Sequence, residues 1–159
     1  MSFHEIYERH HAALFRYLHR YTGDGDLADD LAQEAFVRLL RARVPESDAR
    51  AWLFRVATNL ARDHGRRSAR RARLVVSRGG VDATTDDEAD ARIARDRDVA
   101  RVRSALDALD ERERRMLLMR EEGFAYREIA QAVDVAPGSV GTLLARALMK
   151  FRRAFEEGA

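Results

Sequence analysis

A chain of 159 residues, 46% hydrophobic and 35% charged, has enough apolar surface for one medium domain or two small ones. The absence of cysteine excludes a disulfide framework, a thiolate metal site and a thiol redox switch, and no apolar run is long enough to span a bilayer. Two prolines and nine glycines in a chain rich in Ala, Leu, Arg and Glu favour an all-α protein, while a formal charge of only +2 conceals a strong asymmetry along the sequence.

Phe3, Ile6, Tyr7, Leu14, Leu18 and Tyr21 form one stripe, which predicts an amphipathic helix over 3–21. Thr22-Gly23-Asp24-Gly25 breaks it, and Asp24 or Asp26 caps the next helix. That second helix is expected over Leu27–Arg43, with Leu31, Ala35, Phe36, Leu39 and Leu40 facing inward. Val44–Asp48 reads as a loop, with Ser47 or Asp48 as N-cap of a third helix that buries Trp52, Leu53, Val56, Ala57 and Leu60. Trp52 and Phe54 lie two positions apart, so they cannot both face one core, and one of them belongs near the surface. The continuation is very basic: Arg62, Arg66, Arg67, Arg70, Arg71 and Arg73 stand against Asp63 alone. These three helices are expected to form a first domain over residues 1–75.

Residues 76–91 change character. Gly79-Gly80 precedes Asp82, Asp86, Asp87, Glu88 and Asp90 with little to bury, which predicts a flexible acidic linker. Ile93, Val99, Val102, Leu106 and Leu109 then begin a second helical domain over 92–159. Asp110 and Glu113 form a capping box for a helix that buries Met116, Leu117 and Met119, with Gly123 at its C-terminal end.

The segment 126–151, YREIAQAVDVAPGSVGTLLARALMKF, has the spacing of a helix-turn-helix. Ile129, Ala130 and Val133 recur at helical intervals, Asp134-Val135-Ala136 interrupts, and Pro137 opens a second helix where its missing N–H costs nothing. Val140, Leu143, Leu144, Ala147, Leu148 and Phe151 supply the apolar face, and Ser139, Thr142, Arg146, Lys150 and Arg153 the opposite one. Two interpretations stand at this point: a DNA-reading helix-turn-helix, and an ordinary helical hairpin with a solvated basic side. The block 51–67 also has two. Aromatics beside arginines suit single-stranded nucleic acid, where stacking contributes about 1–3 kcal/mol per base; a core Trp52 with a solvated basic helix end accounts for the same residues.

His4, His11 and His19 share a helix face, but two turns separate neighbours by about 10 Å, too far for one ion. No metal or cofactor is therefore expected. With no glycine-rich phosphate loop after a strand and no activated nucleophile, the chain is not expected to be an enzyme. Nor does a basic-then-apolar segment open the sequence, so the expected location is the cytoplasm, without membrane insertion.

The order of these elements resembles a bacterial RNA polymerase sigma factor of the extracytoplasmic-function type, in the sigma-70 family. The resemblance rests on residues 28–36, ADDLAQEAF, similar to the family's polymerase-docking helix, and on 51–63, AWLFRVATNLARD, similar to its −10 helix. It rests further on 106–114, LDALDERER, at the entry to the C-terminal domain, and on the helix-turn-helix, similar to the part that reads the −35 element. It implies a transcription initiation factor that binds core RNA polymerase, directs it to promoter DNA and melts the −10 element, with an anti-sigma factor as a further partner. It implies that Asp30, Gln33 and Glu34 face the polymerase, and that the loop with Ser47 and Asp48, and Trp52 after it, receive an unstacked base. Arg55, Asn59, Arg62, Arg66 and Arg67 would hold the nucleic acid nearby, and Ser139, Thr142, Arg146 and Lys150 would contact the −35 duplex. The sequence departs from the family at Gly141 and Leu143, where Lys and Arg are common, and at Ala125, where a capping hydroxyl is frequent. A stand-alone helix-turn-helix repressor or activator, dimeric on duplex half-sites, is the competing function. A helical interaction protein with incidental basic patches is a third.

Overall fold

Helix α1 (Phe3–Thr22) begins at a reciprocal cap: the Ser2 hydroxyl accepts from the Glu5 N–H, and the Glu5 carboxylate accepts from the Ser2 N–H at 2.9 Å. It ends at Gly23, whose φ of 75° lies in the left-handed region that favours glycine. The computed structural model to which these helices belong describes residues 2–72 and 86–158, with side chains for 2–65 and 90–158. Helix α2 (Gly25–Arg41) is capped by Asp24 rather than Asp26, the Asp24 carboxylate accepting from the N–H groups of Asp26 and Leu27. Helix α3 (Ala49–Ala72) follows a 3-10 turn over Glu46–Asp48. Pro45 enters that turn at φ −56°, so Ser47 and Asp48 lie inside the turn instead of in the extended backbone of an N-cap.

These three helices bury one another through Leu14, Tyr17, Leu18, Leu31, Ala35, Phe36, Leu53 and Ala57. Leu40 is 61% exposed, contrary to the sequence expectation, because Leu31, Ala35 and Leu39 already fill the stripe that α2 turns inward. Of the two aromatics on α3, Phe54 enters the core and Trp52 is half-buried; Val56 and Leu60 are likewise half-buried. The Thr58 hydroxyl donates to the Phe54 carbonyl at 2.6 Å, which leaves its oxygen to accept from Tyr17 Oη at 2.9 Å. Burial pushes the Tyr17 phenol up to about 12.

Helix α4 spans Asp86–Asp107, so residues 86–91, expected in the linker, are helical; residues 76–85, including Gly79, Gly80 and Asp82, lie outside the described residues. Acidic residues in a first turn complement the helix dipole, and Ala and Arg propagate a helix without burial. The sequence pattern also overstated the packing of α4. Ile93, Val99 and Val102 are exposed, and only its C-terminal end, through Ala105 and Leu106, enters the core. Arg101 anchors it instead, donating to the Phe155 carbonyl at 2.9 Å with its guanidinium 4.0 Å from the Phe155 ring.

Helix α5 (Glu111–Glu121) carries the expected Asp110–Glu113 capping box and buries Met116, Leu118 and Met119, with Leu117 half-buried. Gly123 follows at φ 83°. Helix α6 (Tyr126–Val133) turns at Asp134, in the left-handed conformation at φ 58°, and a 3-10 turn over Pro137–Ser139 leads into α7 (Val140–Glu157). Ile129, Ala130, Val133, Val140, Leu144 and Ala147 close the hairpin; Leu148, expected in that face, is exposed at its margin. No strand occurs among the described residues.

At the α6 start the Glu128 carboxylate accepts from the Ala125 N–H at 2.9 Å, half of a capping box whose other half alanine cannot make. Ala125 already has the extended backbone of an N-cap, so Ala125→Ser is expected to stabilise the chain by about 1 kcal/mol, read by denaturant unfolding.

Candidate nucleic-acid interface

Trp52, Arg55, Asn59 and Arg62 follow one another at intervals of three and four residues, which places them on one face of α3. Leu53, Phe54, Ala57 and Ala61 occupy the other, buried face. Arg55 and Asn59 are exposed, as are Ser47 and Asp48 in the turn before the helix. Ser47, Asp48, Trp52 and Arg55 together line one wall of a cleft of about 750 Å³, whose far wall is built by Arg127 and Glu128 of α6. Asn59 lies outside that lining, and Arg62 turns toward α5, with its Nε 3.4 Å from Glu111. The side chains of Arg66 and Arg67 lie outside the described residues.

Ser139, the last residue of the turn before α7, and Thr142, Arg146 and Lys150 on α7 are exposed and lie away from the face of Val140, Leu144 and Ala147. Lys150 is engaged within the chain, its Nζ 2.8 Å from a Glu113 carboxylate oxygen. A Cβ added at Gly141 would meet the Tyr126 ring at 3.6 Å, an ordinary contact, so internal packing does not demand glycine there. Leu143 is half-buried and contributes to the core margin rather than to the outer face.

Asp30, Gln33 and Glu34 are exposed on α2. Asp30 and Glu34 are like charges at i, i+4, but Glu34 also holds Arg38 at 3.0 Å, and Gln33 donates to Asp29 at 3.1 Å. Beside them runs a groove of about 560 Å³ between α1 and α2, lined largely by Tyr7, Phe15, Ala32 and Phe36.

Sequence reasoning missed the contacts that join the two groups of helices. Phe124 packs edge-on against Phe54 at 4.8 Å and lies beneath the Arg50 guanidinium at 3.9 Å, so the two cores are continuous. Glu122, its side chain only 4% exposed, accepts from Arg16 Nε at 2.9 Å and Nη2 at 2.7 Å, with Arg20 at 3.6 Å. That hydrogen bond raises the Arg16 guanidinium above its ordinary value. Glu111 accepts from the Tyr21 hydroxyl at 3.0 Å, and Arg103 donates to the Arg20 and Tyr21 carbonyls at the end of α1. The sequence offered no signal for these, because ion pairs across about a hundred residues leave no periodicity.

Two family models match the chain: Sigma-70 region 2 over residues 6–71, and Sigma-70, region 4 over residues 100–151. Among relatives, the ECF RNA polymerase sigma factor SigL of Mycobacterium tuberculosis is 34% identical, over 96% of this chain and 88% of its own length. RNA polymerase sigma factor YlaC of Bacillus subtilis is 27% identical, over 96% and 91%. The sigma factor RpoE from Bartonella quintana, solved in complex with the anti-sigma factor NepR, has the same fold with a TM-score of 0.68 at 18% identity, covering 97% of this chain and 96% of that one.

Proposed function

This chain belongs to the sigma-70 family, as a transcription initiation factor of the extracytoplasmic-function type, and we propose that its two helical units divide promoter recognition between them. The first unit, residues 1–75, docks on core RNA polymerase through Asp30, Gln33 and Glu34. It receives the melted −10 strand along Ser47, Asp48, Trp52, Arg55, Asn59, Arg62, Arg66 and Arg67. The second unit reads the −35 duplex through Ser139, Thr142 and Arg146, with Lys150 near the backbone. The two regions in family order along one chain carry this assignment. A stand-alone helix-turn-helix regulator accounts for residues 100–151 alone and is not favoured.

Catalysis stays with the polymerase, in the cytoplasm where transcription takes place. Among the described residues no helix is long and apolar enough to cross a membrane. An anti-sigma factor is the expected regulator, supported by the fold shared with a sigma factor solved in such a complex.

Run-off transcription with core polymerase on a promoter library tests the assignment; initiation no greater than with core alone ends it. Replacing Asn59 or Arg62 by Ala is expected to slow open-complex formation, seen as permanganate reactivity of the melted strand, more than initial duplex capture. Equal loss at both stages removes the melting role. Arg146→Ala is expected to cost about 1–3 kcal/mol on the −35 element if the arginine is bidentate to a base. A loss uniform across promoter sequences identifies a phosphate contact instead.

A further inference from the structure

The outward stripe of α7 carries little charge. Thr142, Ala145, Arg146 and Met149 fall together by helical spacing, all four are exposed, and Arg146 alone among them is charged. Lys150, beside them, is held by Glu113 at 2.8 Å. Leu143 belongs to the core margin, and Gly141 has no side chain to offer. The Tyr126 ring of α6 lies beside that glycine, 3.6 Å from where a Cβ would stand. The tyrosine is 45% exposed, with the Arg120 guanidinium 4.9 Å from its ring centroid. Arg120 is itself fixed by donating to the Phe124 carbonyl at 2.9 Å. The start of α7 therefore presents two methyl groups, bare backbone and an aromatic ring.

Such a surface is poor at one kind of readout and suited to another. The N-terminal residues of the second helix are the ones that meet base edges in the major groove. Guanine is recognised there most often by Arg or Lys reaching O6 and N7 together. Arg146 can make one such contact; positions 141 and 143 can make none. Thymine is set apart in the major groove by its C5 methyl, which packs on alanine and on the methyl of threonine. Thr142 and Ala145 offer those two groups one turn apart, and glycine at 141 leaves the approach to them open.

We infer that α7 reads a thymine-rich −35 element through C5 methyl groups. Thr142 and Ala145 are the contacts that set specificity, the Tyr126 ring forms the wall beside them, and Arg146 supplies the one charge. The inference rests on the proposed −35 reading and names the bases that it recognises. Losing one buried methyl is expected to weaken binding about fourfold.

The test uses the full chain assembled with core polymerase, on promoters with a randomised −35 element. Selection by run-off is expected to enrich thymine on one strand or the other, with no more than one fixed G·C pair. The selected element is then resynthesised with deoxyuridine for each thymine in turn, which removes the methyl and keeps the pairing edge. Holoenzyme affinity is expected to fall about fourfold at the contacted thymines and to stay unchanged for a thymine upstream of the element. Because the change is made in the DNA, a folding defect cannot imitate it. Thr142→Ser keeps the hydroxyl without the methyl and is expected to abolish the uracil penalty at one position; Ala145→Gly is expected to abolish it at another. Gly141→Lys adds a cation beside Tyr126 and is expected to bring guanine into the selected element and to steepen the salt dependence by about one counterion.

An element fixed by two or more G·C pairs, or thymines that uracil replaces without loss, overturns methyl readout and leaves the promoter assignment standing. An unchanged selection with Gly141→Lys also overturns it, since position 141 then faces away from the bases. Run-off no greater than with core alone, or indifferent to the −35 sequence, removes the −35 reading itself and methyl readout with it.

Discussion

Exchanging Asp30 and Glu34 together for arginine is expected to abolish binding to core RNA polymerase while leaving the fold intact. Both carboxylates are exposed on α2, and the ion pair lost within the chain is Glu34 with Arg38, an i, i+4 surface pair. Such pairs contribute about 0.3–0.5 kcal/mol, so the penalty to folding is small. The penalty to docking is not. Two negative charges become two positive ones, and like charges across an interface cost several kcal/mol, where about 1.4 kcal/mol is tenfold in affinity. A loss greater than about a hundredfold is therefore expected in a polymerase-binding titration, with an unchanged circular dichroism spectrum. Normal affinity in the double variant rules this face out as the docking surface.

Phe124→Ala is expected to be the most damaging single substitution outside the proposed contact faces. The ring is fully buried, edge-on to Phe54 at 4.8 Å and under Arg50 at 3.9 Å. Truncating a buried phenylalanine costs about 3–5 kcal/mol, from lost transfer energy and from the cavity left behind. That is a large fraction of the stability of a domain this size. The Arg50 guanidinium also loses its aromatic face, and its Nη2 already lacks a hydrogen-bond partner among the described groups. Denaturant unfolding reads the loss directly. Leu40→Ala is the control: at 61% exposure it is expected to change stability by no more than about 0.5 kcal/mol. A Phe124→Ala loss as small as the control's means that the second core tolerates the missing ring.

Much of the fold was legible because helices announce themselves locally. The ends of α1, the Asp110 capping box and the left-handed residue after α5 follow from short stretches of sequence. Errors fell where apolar character and burial part company. Leu40, Val99 and Leu148 have the right residue type at a plausible spacing, yet no neighbouring helix covers them. Periodicity shows which face of a helix is apolar; it does not count the partners available to cover it.

The candidate sites divide in the same way. Trp52, Arg55, Asn59 and Arg62 share a face by spacing alone, and so do Ser139, Thr142, Arg146 and Lys150. Their electrostatic engagement was not legible. Arg62 is held by Glu111 and Lys150 by Glu113, both on α5, a helix with no assigned role in recognition.

By itself the sequence determined an all-helical chain, the ends of α1 and the start of α5, the turn before Pro137 and the order of two family regions, because each depends on residues within a few turns of one another. Only the tertiary structure decided that Phe54 rather than Trp52 enters the core, that Phe124 joins the two cores, and that Glu122 is buried between Arg16 and Arg20. The physical reason is range. Capping and helical periodicity act over three or four residues, whereas an ion pair between segments about a hundred residues apart depends on where those segments come to rest.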